Sequence, residues 1–97
     1  MFEGSPPRLL PWTRPDGAPC YLSTDDRGSR LSLLADDVED GVLAAAGAAL
    51  EGTEAVAAGP GADPRELCHV IACLRRALRD VLRVAVSRGD RLAECEE

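Results

Sequence analysis

The sequence predicts a mainly α (α+β) protein: an antiparallel helical hairpin with a short N-terminal β-hairpin-like unit, dimerising into a four-helix bundle. Three observations predict it. Residues 63–89 read as one amphipathic helix with its own start and stop signals. A second amphipathic stretch precedes it, separated only by Gly59-Pro60-Gly61-Ala62, a turn too short for anything but antiparallel neighbours. The apolar faces of both helices are also wider than one partner helix can cover.

Residues 1–8 carry two prolines, Gly4 and Ser5 without periodicity and read as a flexible tail. A single domain is expected over 9–92, with 93–97 a frayed polar end. Within it, Leu9-Leu10-Pro11-Trp12 and Cys20-Tyr21-Leu22-Ser23 are short extended segments around Arg14-Pro15-Asp16-Gly17, a turn with proline second and glycine fourth. Pro11, Pro15 and Pro19 remove ladder donors, so the hairpin must be short and edge-like. Asp25-Asp26-Arg27-Gly28-Ser29 reads as a second turn.

The first helix is expected over 32–57 with Ser32 as its cap. Asp36, Asp37, Glu39 and Asp40 then fall in its first turns, where negative charge suits the helix dipole. Leu34, Val38, Val42, Ala45, Ala49 and Val56 share a stripe that Leu50 and Ala57 extend. Gly41, Gly47 and Gly52 weaken this helix by about 1 kcal/mol each, with Gly52 the expected place for a break. In the second helix, Asp63 is the N-cap, Pro64 the first helical residue, Glu66 the capping-box partner and Gly89 the terminator. Leu67, Val70, Ile71, Leu74, Leu78, Val81 and Leu82 lie within about 120° of arc, and Cys73, Ala77 and Val84 widen that face on one flank.

Ninety-seven residues with three aromatics make one small domain whose core rests on Leu, Val and Ala. The net charge of −6 argues against nucleic acid as the default partner. The start of the chain lacks the basic and apolar regions of a signal peptide, and no run spans a membrane. A cytoplasmic protein with reduced cysteines is expected.

The arginines of the second helix, Arg75, Arg76, Arg79 and Arg83, occupy a third of its circumference. They read as a solvated face, and the end of this helix that carries Arg79, Arg83 and Arg88 is expected to lie beside the acidic start of the first helix and be neutralised by it. They are also, with Trp12 and Tyr21, the best external contact surface; the two rings read first as sealing the Ala-rich hairpin. Metal ligation has weak candidates in Cys20, His69 and Cys73: the last two form an i, i+4 pair, but no C-x2-C spacing supports zinc. Glu66-x-x-His69 points away from the apolar face and so argues against a di-iron bundle. One histidine and no glycine-rich phosphate loop leave catalysis without a pattern, and no cofactor is expected.

The run Leu10-Pro11-Trp12 through Pro15-Asp16-Gly17, then Pro19-Cys20-Tyr21-Leu22-Ser23 and Leu34-Ala35-Asp36, resembles a family of small uncharacterised actinobacterial (Streptomyces-like) proteins of unknown function. So do Leu78-Arg79-Asp80-Val81 and Val84-Ala85-Val86-Ser87-Arg88-Gly89. The resemblance spans most of 9–92 and implies a soluble actinobacterial protein; it brings no activity with it.

The expected function is a non-catalytic protein–protein interaction or regulatory module that presents a helical face to a partner. Leu34, Val38, Val42, Leu50, Leu67, Val70, Ile71, Leu74, Leu78, Val81 and Leu82 serve as core and homodimer surface. The alternatives are a small DNA-binding or transcription-accessory protein and a cysteine/histidine metal or redox sensor.

Overall fold

A computed structural model describes residues 7–23, 29–61 and 63–95. The order is β1 (Arg8–Thr13), β2 (Pro19–Leu22), α1 (Arg30–Ala58) and α2 (Pro64–Cys95). The strands form a two-stranded antiparallel sheet, and the two long helices pack against each other as an antiparallel hairpin. The expected second turn at residues 25–29 lies, but for Ser29, outside the described residues, as do residues 1–6.

The β-hairpin turns where proline and glycine place it. Arg14 O accepts from Gly17 N at 2.8 Å, Arg14 N donates to Ala18 O at 2.8 Å, and Asp16 Oδ1 accepts from Ala18 N. Gly17 sits at φ 88°, a conformation that a side chain disfavours. The ladder pairs Leu9 with Tyr21 and Thr13 with Pro19, so β1 advances four residues while β2 advances two. Pro11, which cannot donate to a ladder, falls inside this bulge, and both it and Leu10 are buried.

Arg8 departs from the expected tail. It opens β1 and is buried, because three groups of α1 receive its guanidinium. α1 starts two residues before the expected Ser32: Ser29 is the N-cap and its Oγ accepts from Ser32 N at 3.1 Å. The acidic cluster therefore lies beyond the first turn, too far in to serve the helix dipole. Gly52 causes no break. In α2, Asp63 caps as expected, with Oδ1 accepting from Arg65 N at 3.1 Å. Gly89 does not terminate the helix, which continues to Cys95. Ser87, Arg88 and Arg91 are tied to β1 and α1 on either side of that glycine, and this anchoring outweighs its helix penalty of about 1 kcal/mol. Between the helices, Gly61 at φ 69° supplies the one left-handed residue of the described loop.

The contact between α1 and α2 follows a 3-4 heptad spacing on each helix. On α1 the seam is Ala35, Glu39, Val42, Ala46, Ala49, Thr53 and Val56, all buried or half-buried. On α2 it is Val70, Cys73, Ala77, Asp80, Val84, Ser87 and Arg91, of which only Cys73 is exposed. These side chains are mostly small, so the helices mate by close approach rather than by interdigitating leucines. Among the described residues the buried apolar core is correspondingly slight: Leu10, Pro11, Ala35 and Val84. The molecule measures 63 × 29 × 21 Å, with a radius of gyration of 17.2 Å against roughly 13 Å for a compact chain of this length.

This seam makes a direct prediction. Ala35 is fully buried between the elements, so Ala35→Leu should overpack it and lower stability by about 1–3 kcal/mol in urea unfolding. An unchanged midpoint would show that the helices do not meet there.

Candidate functional site

Two features stand out once the hairpin is built: a buried ionic knot that fixes one end, and an uncovered apolar face that runs along one side.

The knot forms where β1 crosses the start of α1 and the end of α2. Glu39 is 0% exposed. Its Oε1 accepts from Arg88 Nε at 3.1 Å and Arg91 Nη2 at 3.0 Å, and its Oε2 lies 3.3 Å from Arg8 Nη2. Arg8 also reaches Asp36 Oδ1 at 2.7 Å and the Ser32 hydroxyl at 2.8 Å, and Arg88 reaches Asp40 Oδ1 at 3.2 Å. Three arginines thus face three carboxylates. Ser87 Oγ donates to Leu9 O at 2.8 Å and accepts from Arg91, which joins the strand to the same knot. Burial alone would raise the Glu39 carboxyl; the bonds from Arg91 and Arg88, the Arg91 charge and the bond from Arg8 outweigh it and hold the group below its ordinary 4.5. Glu39 in turn raises the Arg88 guanidinium further above its ordinary range. Among the described residues, Arg8 Nε is the one buried side-chain nitrogen or oxygen without a partner. The knot is a clamp: it sets the height at which α1 meets α2.

The apolar face is set by where the small seam points. At 100° per residue, α2 carries a second 3-4 row: Leu67, Ile71, Leu74, Leu78, Val81 and Ala85. It lies about a quarter turn or more from the row that meets α1. Leu78 is 60% exposed and Ile71 56%, with Leu67 and Leu82 similar and Leu74 and Val81 half-buried. On α1, Leu43 and the 56%-exposed Leu50 flank the seam on the side of this row. The opposite side of the hairpin is identified by a groove of about 660 Å³ that runs between Val38 and Ala45 of α1 and His69, Cys73 and Arg76 of α2.

Leu34, Leu50, Leu67, Ile71, Leu78 and Leu82, expected to serve as core as well as dimer surface, are therefore not core of the single chain. Val38, Val42, Val70, Leu74 and Val81 are half-buried. The small flank, Ala77 and Val84 with Cys73, supplies the helix contact in place of the leucines. The signal that separates them is in the sequence: two heptad rows on one helix, one small and one branched.

Arg75, Arg76 and Arg79 are exposed and form no ion pair with another described residue, whereas Arg83 is half-buried and pairs with Asp80 at 3.3 Å. Of the arginines expected to neutralise the acidic start of α1, only Arg88 does so; Arg79 and Arg83 do not reach it, and Arg8 and Arg91 complete the set instead. Trp12 is half-buried and Tyr21 is exposed, so at most one ring seals anything. His69 Nε2 and Cys73 Sγ are 3.6 Å apart and both residues are exposed. No group of three potential metal ligands forms among the described residues, so Cys20 on β2 does not join them. Cys20, Cys68 and Cys73 are free thiols. No described helix is long and apolar enough to cross a membrane.

Comparison with family models, curated proteins and solved structures finds no match.

Proposed function

We propose that this chain is a non-catalytic interaction module, and that the leucine row of α2 with Leu43 and Leu50 of α1 is its docking face. The observation that carries the reading is the division of labour on α2. The helix turns its small heptad row to α1 and leaves its branched heptad row only partly covered, with Leu67, Ile71 and Leu78 exposed. A row of this type, regularly spaced over five turns, is the pattern by which helices recognise other helices. Each of its half-exposed leucines has on the order of 1 kcal/mol still to gain from burial.

The first occupant of the face is a second copy, which turns the two-helix hairpin into a four-helix bundle with a leucine core. Arg76, Arg79 and Tyr21 remain outside such a bundle as the surface for a different protein partner. The ionic knot serves this role structurally: it holds the two leucine-bearing edges at one relative height.

Two differently tagged copies expressed together test the reading. Capture of one tag should recover the other in near-equal amount, and Leu82→Glu should abolish the recovery. Tagged copies that stay apart at micromolar concentration would end it.

A further inference from the structure

The docking face has a charge polarity, and a two-fold axis treats that polarity in only two ways. Along the outer edge of α1, at the positions flanking Leu43 and Leu50, run Asp40, Glu51 and Glu54, all exposed. Along the outer edge of α2, beside Ile71, Leu78 and Leu82, stands Arg75, also exposed. One edge of the face is acidic, the other basic, and the middle is apolar.

Two copies that meet face to face are related by an axis lying in the plane between them. If that axis runs across the helices, α1 covers the partner's α1 and α2 covers the partner's α2. Acid then sits on acid and arginine on arginine, the arrangement that like-charge repulsion disfavours. If the axis runs along the helices, α1 covers the partner's α2. The acidic edge then meets the basic edge twice, once at each side of the bundle. Adjacent helices are antiparallel in both arrangements, so charge rather than helix direction chooses between them.

The heights agree with the second arrangement. An axis along the helices leaves each residue at its own level. The loop joins Ala58 to Pro64, and Glu39 bonds Arg88 and Arg91, which fixes the levels at both ends. By interpolation, Glu51 stands opposite residues at about 72–77 and Glu54 about one turn lower. Arg75 falls within that window. Leu43 and Leu50 come level with Leu82 and Ile71 to within about a turn, so the apolar rows stay in register as well.

We infer that the chain pairs with a second copy about a two-fold axis parallel to its helices, α1 on the partner's α2, with Glu51 and Glu54 facing the partner's Arg75. This rests on the leucine face being the docking face, and its test separates the two claims. Charge pairs of this kind set orientation and partner choice more than raw affinity. Arg75→Glu should weaken self-association about tenfold, and adding Glu51→Arg and Glu54→Arg in the same chain should restore it. The decisive experiment mixes wild type with that triple variant, one carrying a mass tag, and reads the dimers by native mass spectrometry after exchange. With the axis along the helices the two chains sort into homodimers, because a mixed pair sets carboxylate against carboxylate at one side of the bundle and arginine against arginine at the other. With the axis across the helices they prefer to mix. Sorting supports the inference; mixed dimers at or above the statistical half overturn it while leaving the docking face intact. A wild-type chain that gives only monomer overturns both. Because all three positions are exposed, circular dichroism of each variant should match wild type, and the triple variant's own dimer is the internal control for folding.

Discussion

Leu78→Asp should leave a folded helical hairpin that no longer self-associates. Leu78 is 60% exposed in the single chain, so the exchange removes few intramolecular contacts. In a paired bundle the same position lies mid-row between Leu74 and Val81, and a carboxylate there is buried without a partner. The cost is several kcal/mol for the charge plus about 1–2 kcal/mol of lost burial, which corresponds to a loss in affinity of at least about a hundredfold. Sedimentation velocity reads the association and circular dichroism the helix content. If Leu78→Asp unfolds the chain outright, Leu78 belongs to an intramolecular core and the assignment of the face is wrong.

The second large effect belongs to the knot. Glu39→Ala should lower stability by about 3–5 kcal/mol, because it leaves Arg8, Arg88 and Arg91 around a site that has lost its charge. A chain of this size has on the order of 5–10 kcal/mol in total, so the variant should unfold at a much lower temperature. Glu39→Gln keeps the shape and some of the hydrogen bonding, and should lie between the two. The pH dependence has a definite sign. The folded carboxyl is held below its ordinary 4.5, so the unfolded chain binds the proton more readily. The stabilisation is complete above that value and is lost as pH falls through the lower, folded one. Wild type should therefore lose stability from roughly pH 5 downward more steeply than Glu39→Gln. Parallel curves for the two would mean that Glu39 does not titrate as a clamped carboxylate.

Much of the fold is legible in the sequence, and the reasons are local. Arg14-Pro15-Asp16-Gly17 builds its turn from backbone conformations that those residues favour, and Asp63-Pro64 starts α2 by a capping bond two residues long. Gly59-Pro60-Gly61 leaves no route but back. Local signals mislead wherever a distant partner decides. Gly89 is a helix stop by propensity, yet Ser87 and Arg91 on either side are held by residues 78 and 52 positions away. Arg8 looks like the end of a tail because the carboxylates that fix it lie 28 and 31 residues downstream. The acidic cluster is plain in the sequence, but its explanation by the helix dipole depends on a start at Ser32. The true cap at Ser29 moves the cluster inward, to where it meets three arginines.

The apolar face shows a different limit. Its width is readable, and so is the conclusion that one hairpin cannot cover it. Which part of the width faces inward is not. Greasiness alone assigns the leucines to the core; packing assigns it the alanines, because Ala35, Ala46 and Ala49 let α1 approach where leucines would hold it off. A count of heptad rows, rather than an arc of apolar residues, separates the two.

The reading of the molecule as a docking module stands on the leucine row being a surface between copies. Light scattering coupled to size exclusion at tens of micromolar measures that directly. The mass should come out near twice 10.3 kDa and fall toward 10.3 kDa for Leu78→Asp. A wild-type chain that elutes at 10.3 kDa throughout, with its helices intact, would contradict that reading.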